Sequence, residues 1–502
     1  MGNFRATAVR LATVRQFKTA RELRAHISLD VPKLFGFILL SLSTLQLTGC
    51  GGSPSSSSSA AFSVGGTVSG LSGGDLILIN NEMDALSVSS DGPFKFTLTS
   101  SGGGVYSVLI ATQPPGQVCT VTNPSGVIAL ASITNINVAC STSPEATLYA
   151  FSGGTDGRYP DSGLTAGPDG NFYGTTTYGG ANNLGTVYKI TPAGVKTVLY
   201  SFKGGSGDGQ YPASGLELGN DGVFYVTTTA GGAFGGGTFF KITLDGTETL
   251  LYSFGNNGSG TVPQGLTLLD DGNFYGTTTS GGANNLGTVY KMTSAGEQTV
   301  LHSFADGADG QMPVAGLSSS SEGDLYGVAY YGGTNNLGTI FRIAPDGTGY
   351  VTVHSFAGGA TDGQYPGVKL RNVADGSLYG STSGGGASGL GTIFRYDPSS
   401  GVTTVLHSFS GAPADGDSPS CRLRVGNDGN LYGVTFNGGY FDLGTFFRIT
   451  PAGLLTVLYS FSGGADGQGP NSSLLVTSKG DFYGTTVAGG GTNNGTIYKI
   501  TP

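Results

Sequence analysis

The sequence predicts an all-β chain in which a small immunoglobulin-like β-sandwich, residues 62–142, precedes a seven-bladed β-propeller, residues 146–502. A motif close to Leu-Tyr-Ser-Phe recurs at intervals of 51, 52, 50, 52, 53 and 52 residues, with its Phe at Phe151, Phe202, Phe254, Phe304, Phe356, Phe409 and Phe461. A fixed period of about 50 residues is typical of propellers and solenoids. The repeat region opens with one strand-like run and ends with three. We therefore expect the first strand to complete the last blade and close the ring.

Residues 1–49 resemble a bacterial lipoprotein signal peptide. Seven Lys/Arg residues among the first 33 accompany an apolar run, residues 34–47, which ends in Leu47-Thr48-Gly49-Cys50. This ending resembles a lipobox and makes Cys50 the lipidated first residue of the mature chain, with a buried Cys in an apolar helix as the alternative. The run is too short to span a membrane, and a Ser-rich tether follows to residue 61.

The predicted anchor also predicts a location. A lipidated Cys50 implies an exported protein held on a membrane of the cell envelope. Gly51 follows that cysteine, where Asp would favour retention at the inner membrane of Gram-negative bacteria, so the resemblance indicates the outer membrane or cell surface.

The predicted sandwich contains five strand-like runs separated by Gly, Ser, Pro and Asn, at residues 62–68, 75–80, 94–99, 106–111 and 133–138. Cys119 and Cys140 lie 21 residues apart, and the exported context favours a disulfide between them over two buried free thiols. We expect this domain to act as a spacer that lifts the propeller from the membrane, with carbohydrate binding as the alternative.

Each repeat divides into four strand-like runs, which the first full unit places at residues 163–167, 171–178, 185–191 and 196–202. The first and last pairs are joined by turn signals, Pro168-Asp169-Gly170 and Thr191-Pro192-Ala193-Gly194. The last two runs carry apolar residues on both faces. A sheet buried on both faces is expected for a blade between two neighbours.

The repeated unit resembles the GloVer tandem-repeat family of bacterial exported proteins, over about residues 146–502. The core motif Asp-Gly-Asn-Phe-Tyr-Gly-Thr-Thr stands at residues 169–176 and 271–278, with degenerate copies at 322–327 and 479–484. The resemblance implies surface anchoring by varied means, with which a lipobox is consistent. It supplies no catalytic residue.

The charge balance argues against nucleic acid as a partner. The chain has 23 Lys/Arg and 32 Asp/Glu, and without the first 33 residues it keeps 16 and 30. An acidic chain repels a polyphosphate backbone.

We expect the loops that join the second and third strands of a blade, and those that join one blade to the next, to share one face. The loops that join one blade to the next carry six equivalent aspartates, Asp156, Asp208, Asp309, Asp362, Asp415 and Asp466. The loops that join the second and third strands carry Asn182, Asn183, Asn284, Asn285, Asn335, Asn336, Asn493 and Asn494. Such oxygen donors suit a sugar or Ca²⁺, although Asp-Gly and Asn-rich segments also form turns through their own backbone bonds. Because no complete EF-hand loop is present, we assign no metal ligand and keep calcium as an open alternative.

Little in the sequence indicates catalysis. His302, His354 and His407 replace the Tyr of the repeated motif and are expected to be repeat variants, and Cys421 is expected to be a small core residue. Paired aspartates could serve a glycosidase, but almost every Asp is repeated, whereas a catalytic centre is one asymmetric cluster. The discriminating feature would be a nonrepeated acidic group in the central channel. We expect a noncatalytic module that binds extracellular polysaccharide, cell wall or protein, with a structural envelope protein and a polysaccharide-acting propeller enzyme as alternatives.

Overall fold

The structure is a computed structural model that describes residues 61–502, apart from residues 73–75, 82, 101, 115, 213, 257, 306, 420 and 421. The described residues form strands and two short 3-10 turns, Gly154–Asp156 and Gly307–Asp309. No helix within these residues has the length and apolar character that a membrane span needs. The predicted signal peptide, Cys50, most of the tether and Cys421 lie outside the described residues.

The described residues of the small domain form eight strands. In chain order they are β1 (Phe62–Ser69), β2 (Leu76–Asn80), β3 (Asp84–Val88), β4 (Gly92–Ser100), β5 (Val105–Thr112), β6 (Gln117–Thr122), β7 (Ser125–Val127) and β8 (Ile133–Thr142). They form two sheets with the strand orders β4-β1-β8-β6 and β3-β2-β5-β7. The five predicted runs lie in β1, β2, β4, β5 and β8, whereas β3, β6 and β7 were not predicted.

One apolar core lies between these two sheets. Leu78 and Val108 come from one sheet, and Phe96 and Val138 come from the other, and all four side chains are buried in the same cluster. The alternation of buried and exposed residues along β2 and β4 sends every second side chain into that core. The predicted disulfide joins Cys119 to Cys140, which face each other across β6 and β8.

The repeat region begins with β9 (Glu145–Ala150) and continues through seven sheets, which we number in chain order. The first sheet holds β10 (Thr165–Ala166), β11 (Phe172–Thr176), β12 (Thr186–Ile190) and β13 (Lys196–Ser201). The second holds β14 (Gly209–Pro212), β15 (Glu217–Leu218), β16 (Phe224–Gly231), β17 (Thr238–Ile242) and β18 (Glu248–Ser253). The third holds β19 (Thr261–Leu268), β20 (Phe274–Ser280), β21 (Thr288–Met292) and β22 (Gln298–Ser303).

The remaining four sheets repeat this plan. The fourth holds β23 (Ser318–Ser319), β24 (Leu325–Ala329), β25 (Thr339–Ile343) and β26 (Val351–Ser355). The fifth holds β27 (Gly363–Pro366), β28 (Arg371–Asn372), β29 (Leu378–Gly385), β30 (Thr392–Asp397) and β31 (Val402–Ser408). The sixth holds β32 (Gly416–Pro419), β33 (Arg424–Val425), β34 (Leu431–Gly438), β35 (Thr445–Ile449) and β36 (Leu455–Ser460). The seventh holds β37 (Gln468–Pro470), β38 (Leu475–Val476), β39 (Phe482–Ala488), β40 (Thr496–Ile500) and β9.

The two ends of the repeat region meet in the seventh sheet. β40 pairs antiparallel with β9, with Ile497 opposite Tyr149 and Tyr498 opposite Thr147. The first strand of the region therefore occupies the outer position that β13 takes in the first sheet. This pairing gives β40 a partner on both sides and leaves it no free edge.

Adjacent sheets pack through one repeated pair of aromatic or aliphatic side chains. The Tyr173 ring of the first sheet lies 4.6 Å from the Phe224 ring of the second, and the Tyr483 ring of the seventh lies 4.7 Å from the Phe172 ring of the first. The same contact recurs between intermediate sheets, for example between Tyr432 and Phe482. Because the seventh sheet packs against the first, the contacts form a closed cycle.

The Gly of the repeated Phe-Tyr-Gly motif makes room for an aromatic side chain on the next strand of the same sheet. A Cβ atom on Gly174 would lie 2.5 Å from the Tyr188 hydroxyl, and one on Gly276 would lie 2.5 Å from the Tyr290 hydroxyl. These distances are too short for two unbonded heavy atoms, so only Gly admits the buried tyrosine of the neighbouring strand.

The small domain contacts the sixth and seventh sheets. The Ile110 amide donates a hydrogen bond of 3.0 Å to the hydroxyl of Tyr440, which lies between β34 and β35. Val118 packs against the apolar cluster between the sixth and seventh sheets. The spacer role of the small domain stays a prediction.

Candidate functional site

The links predicted to share one face do lie together. The Tyr159 amide donates to the Asn494 carbonyl at 3.1 Å, and the Gly180 amide donates to the Gly154 carbonyl at 2.9 Å. These bonds join the segments between β9 and β10, between β11 and β12, and between β39 and β40. We call this end of the seven sheets the loop face.

The six predicted aspartates share one hydrogen-bond arrangement within the loop face. Each carboxylate accepts the backbone N–H that follows the repeated Phe, at 2.5 to 3.1 Å, and the donors are Ser152, Lys203, Ala305, Ala357, Ser410 and Ser462. Each also contacts the Tyr or His two positions before that Phe. The partners are Tyr149, Tyr200, His302, His354, His407 and Tyr459.

These bonds direct the carboxylates into their own loops. Asp208, Asp415 and Asp466 are buried, and Asp156, Asp309 and Asp362 are less so. The bonds therefore support the turn-forming alternative, and ligand binding by these aspartates stays a prediction. Among the described residues no group of three or more His, Cys, Asp or Glu could hold a metal ion.

The third repeat preserves the arrangement with a different residue. It has no equivalent aspartate, and its Ser259 hydroxyl accepts the Gly255 amide at 3.0 Å. A hydroxyl can replace the carboxylate as a backbone acceptor but carries no charge. What the repeats share at this position is therefore a side-chain oxygen that accepts a backbone N–H of the loop.

The histidines occupy the positions of the tyrosines that they replace. His302 Nε2 lies 3.0 Å from Asp309, His407 Nε2 lies 2.8 Å from Asp415, and His354 Nε2 lies 3.3 Å from Asp362. Each ring packs edge-to-face on the Phe two residues later. The prediction that these histidines are repeat variants agrees with this placement.

The asparagines also serve their own loops. Asn183 has φ of 59°, and its side-chain oxygen accepts the Gly179 amide at 3.1 Å. Asn182 donates through its side-chain nitrogen to the Phe202 carbonyl at 3.0 Å. Asn285 and Asn284 repeat these two bonds in the third sheet.

Each repeat turns its backbone sharply at the residue before the repeated proline in the link from one sheet to the next. This residue has a left-handed backbone with φ between 54° and 62° in all seven repeats, at Tyr159, Tyr211, Val262, Met312, Tyr365, Ser418 and Gly469. The amide of this residue donates to a loop of the preceding sheet, as the Tyr211 amide does to the Leu184 carbonyl at 2.9 Å. A non-glycine residue in this region is unusual and often marks a functional position.

Two groups of tyrosines lie at these turns. The first tyrosine cluster contains Tyr159, Tyr178 and Tyr211, with ring centroids 5.7 and 5.3 Å apart between successive members. The guanidinium of Arg158 lies over the Tyr159 and Tyr178 rings at 5.7 and 5.4 Å.

The second tyrosine cluster contains Tyr330, Tyr331 and Tyr365, and the Tyr330 and Tyr365 rings stack with centroids 5.3 Å apart. Both clusters lie at the loop face, between the first and second sheets and between the fourth and fifth sheets.

A central cavity of about 230 Å³ lies where the first strands of the seven sheets converge. Every sheet contributes to its wall, through residues that include Asp161, Ser214, Gln264, Val314, Gly367, Arg422 and Asn471. Lys369 and Arg424 also line it. These cations were not predicted from the sequence, because the predictions rested on the residues that the repeats share. The sequence did contain a signal for them, since the fifth and sixth repeats have Lys369 and Arg422 in place of the Gly that precedes the repeated Leu.

The cavity also contains nonrepeated acidic groups. Asp161 and Glu217 both line it, and no other repeat has an acidic residue at either equivalent position. Burial raises the pKa of Asp161 to about 6, although the Thr177 hydroxyl, at 2.9 Å, opposes the shift.

A family model described as the Gloeobacter/Verrucomicrobia repeat matches the chain in three overlapping segments, residues 94–269, 218–423 and 373–502. The matches begin within the small domain, upstream of the predicted repeat boundary. None of the curated proteins compared with the chain matches it.

Several solved structures resemble the chain at low identity. A streptogramin B lyase is 15% identical, with a TM-score of 0.46 over 68% of this chain and 94% of that chain. Virginiamycin B lyase from Staphylococcus aureus is 16% identical, with a TM-score of 0.47 over 71% and 98%. An oligogalacturonate lyase in complex with manganese is 15% identical, with a TM-score of 0.44 over 71% and 92%. No activity is transferred from likenesses of this size.

Proposed function

The chain belongs to the Gloeobacter/Verrucomicrobia repeat family, and from this premise we propose that it is a noncatalytic binding module exposed on the cell envelope. The proposed architecture is a seven-bladed β-propeller preceded by an immunoglobulin-like sandwich. The proposed anchor is lipid on Cys50, and the proposed site of anchoring is the outer membrane. The ligand class that we favour is extracellular polysaccharide, with cell wall and protein ligands as rivals.

The observation that carries this proposal is the pair of tyrosine clusters on the loop face. Tyr159 and Tyr178 each expose 38% of their surface, whereas Tyr173 and Tyr188 in the strands of the first sheet are fully buried. Partly exposed aromatic rings with polar tips are common at binding surfaces, since they offer a large apolar area and lose little conformational entropy. A sugar ring presents apolar C–H faces that can lie on such rings.

Polar groups beside the rings complete a surface suited to hydroxyl groups. An Arg158 terminal nitrogen lies 3.4 Å from the Asn183 side-chain oxygen next to the first tyrosine cluster. In the loops of the fourth repeat the Gln311 side-chain amide donates to the Asn336 side-chain oxygen at 2.9 Å, next to the second tyrosine cluster. Donors and acceptors that already hold one another in place lose little freedom when they exchange a partner for a ligand hydroxyl.

An enzyme that acts on polysaccharide is the second candidate, because Asp161 and Glu217 are the nonrepeated acids that such an enzyme needs. The cavity that holds them also contains Lys369, Arg422 and Arg424. Cations that outnumber acids favour binding of an anion over protonation of a glycosidic oxygen. Reducing-end release from polysaccharides, compared between the native chain and Asp161→Asn, tests this candidate.

A glycan array probed with residues 60–502 tests the binding proposal, since these residues group as one compact unit. We expect saturable binding to neutral polysaccharide, and loss of that binding in Tyr178→Ala and in Tyr331→Ala. Leu454→Ala is the matched control, because Leu454 is 69% exposed in the turn between β35 and β36, at the opposite end of the sheets.

The array is run with Ca²⁺ and with EDTA, and loss of binding in EDTA would place calcium at the site. Silence of the native chain under both conditions would contradict polysaccharide binding. That result would favour a protein ligand or a structural role.

A further inference from the structure

The wall of the central cavity is chemically asymmetric. The residue before the repeated Leu is Gly163, Gly215, Gly265 and Gly316 in the first four sheets, but it is Lys369 in the fifth and Arg422 in the sixth. Two residues later the fifth and sixth sheets carry Arg371 and Arg424, whereas the first four carry Thr165, Glu217, Thr267 and Ser318. Four cationic side chains therefore come from two neighbouring sheets. We call Lys369, Arg371, Arg422 and Arg424 the cationic group.

These cations lie close enough to disfavour one another. Burial lowers the pKa of Lys369 to about 7, and the charges of Arg422, Arg424 and Arg371 add to that effect while Glu217 opposes it. Burial and the charges of Arg424 and Arg371 likewise lower the pKa of Arg422. Like charges gathered in a partly dry cavity are unfavourable unless an opposite charge joins them.

The two acids of the cavity do not neutralise the group. No carboxylate of the described residues forms an ion pair with Lys369 or Arg422. The Glu217 carboxylate accepts the Leu268 amide at 3.3 Å, and the Asp161 carboxylate accepts the Thr177 hydroxyl at 2.9 Å. Among the residues that line the cavity, the three cations Lys369, Arg422 and Arg424 outnumber the two acids, although the chain as a whole is acidic.

Two guanidinium groups keep an unused donor in the protein interior. The Nε atoms of Arg371 and Arg422 are buried and have no hydrogen-bond partner. An unpaired buried donor on a charged group is costly, and native structures usually satisfy such donors. Arg422 lines the cavity, so an acceptor bound there would remove that cost at this residue.

Other members of the group are held in place by neighbouring sheets. The Lys369 ammonium reaches the third sheet, where it lies 2.5 Å from the Thr267 hydroxyl and 3.4 Å from the Leu266 carbonyl. Arg424 Nε donates to the Leu474 carbonyl of the seventh sheet at 2.6 Å. Positive charges that are fixed before binding lose little entropy when a ligand arrives.

From the cavity, the cationic group and the unused donors, we propose that the central cavity binds a small oxyanion, a carboxylate or a phosphate. Guanidinium groups match both anions, since their planar fork donates two parallel hydrogen bonds to paired oxygens. A volume of about 230 Å³ admits a free phosphate or one acidic sugar residue. This site is separate from the tyrosine clusters and does not depend on the function proposed for the loop face.

Calorimetric titration of residues 60–502 at pH 7 and low salt tests the proposal with two probes, sodium phosphate and sodium glucuronate. We expect saturable binding of one anion per chain. Arg422→Gln and Lys369→Gln are each expected to weaken it by roughly tenfold or more, because each removes a charged hydrogen-bond donor from the bound anion. Lys241→Gln is the matched control, since Lys241 lies in β17, away from the cavity, and it should bind as the native chain does.

The outcomes of the titration distinguish the possible ligands and identify the results that would overturn the proposal. Binding of phosphate alone indicates a free inorganic anion, binding of glucuronate alone indicates an acidic sugar, and binding of both supports the shared oxyanion chemistry. Absence of binding to either probe by the native chain would overturn the proposal without reference to any variant. Undiminished binding in both cavity variants would also overturn it, since the anion would then bind elsewhere. The titration involves neither neutral glycans nor tyrosine variants, so failure of the anion proposal can be distinguished from failure of the binding proposed for the loop face.

Discussion

The ammonium of Lys196 lies 2.8 Å from the Asp156 carboxylate, and only 1% of the lysine side chain is exposed. The same ammonium lies 5.3 Å from the Tyr149 ring, 4.9 Å from the Phe151 ring and 5.2 Å from the Tyr188 ring. Lys196 begins β13 in the first sheet, whereas Tyr149 belongs to β9 in the seventh. One side chain thus ties the first sheet to the strand that completes the last.

Loss of the Lys196 charge is expected to weaken this junction. Lys196→Met leaves the Asp156 carboxylate without its cation, and breaking a buried ion pair on one side costs about 3 kcal/mol. We expect the free energy of unfolding, measured in urea, to fall by about that amount. Lys189→Met, in β12 of the same sheet, is the control and should cost much less. Equal losses in the two variants would show that the ion pair has no special role.

Glu248 of the second sheet occupies the position that Lys196 occupies in the first sheet, so an acidic side chain stands there in place of a basic one. Burial, followed by the charge of Asp208, raises the pKa of Glu248 to about 7. The folded chain therefore holds more protons than the unfolded chain between about pH 4.5 and pH 7, so the native stability falls as pH rises through that window.

Glu248→Gln is expected to remove this pH-dependent loss. We expect the variant to be more stable than the native chain by about 1 kcal/mol at pH 8, with little difference at pH 4, after allowance for partial solvent exposure. Urea unfolding at both pH values measures the change. Glu297→Gln, at an exposed turn, should show no such difference. A stabilisation of the Glu248 variant that is equal at both pH values would contradict the proposed titration.

Regular features of the chain could be predicted from the repeats, because spacing and turn chemistry are local properties. The interval between Phe151 and Phe202 fixes the length of one sheet, and Pro168-Asp169-Gly170 fixes one of its turns. The strands that were missed, β3, β6 and β7, lie close to Gly, Pro and Asn residues, which are typical of turns. Their pairing is set by the core of the small domain, which local sequence does not describe.

The candidate sites were harder to predict because side-chain direction decides them. The Asp208 residue type suits a ligand and a turn equally well, and only its bonds to Tyr200 and Lys203 favour the turn. The cavity cations Lys369 and Arg422 were visible as departures from the repeat. Their convergence could not be seen, since it depends on how neighbouring sheets place their first strands beside the cavity.

The repeated aspartates are expected to contribute stability. Asp466 is buried and accepts hydrogen bonds from the Tyr459 hydroxyl, the Ser462 amide and the Ser462 hydroxyl. Asp466→Ala leaves these donors without an acceptor and should lower the free energy of unfolding by about 2 kcal/mol. Asp346→Ala, in an exposed turn where the carboxylate accepts the Thr348 amide, should cost less than about 1 kcal/mol. Retention of full stability by the Asp466 variant would reopen a ligand role for this carboxylate.

The left-handed turn before the repeated proline offers a test of backbone strain. Val262 has φ of 58°, and its amide donates to the Gly236 carbonyl of the second sheet at 2.8 Å, so the conformation is held by a bond between sheets. A branched side chain in this region costs about 1–2 kcal/mol, which Gly avoids. We therefore expect Val262→Gly to be more stable than Val262→Ala by about 1 kcal/mol, although Gly is normally the less stable of the two.

Val195, which is exposed and has no left-handed backbone, supplies the reference. There the order should reverse, with Val195→Ala above Val195→Gly by about 0.5–1 kcal/mol. Urea unfolding of the four variants measures both differences, and the same order at both positions would mean that the backbone at Val262 is not strained.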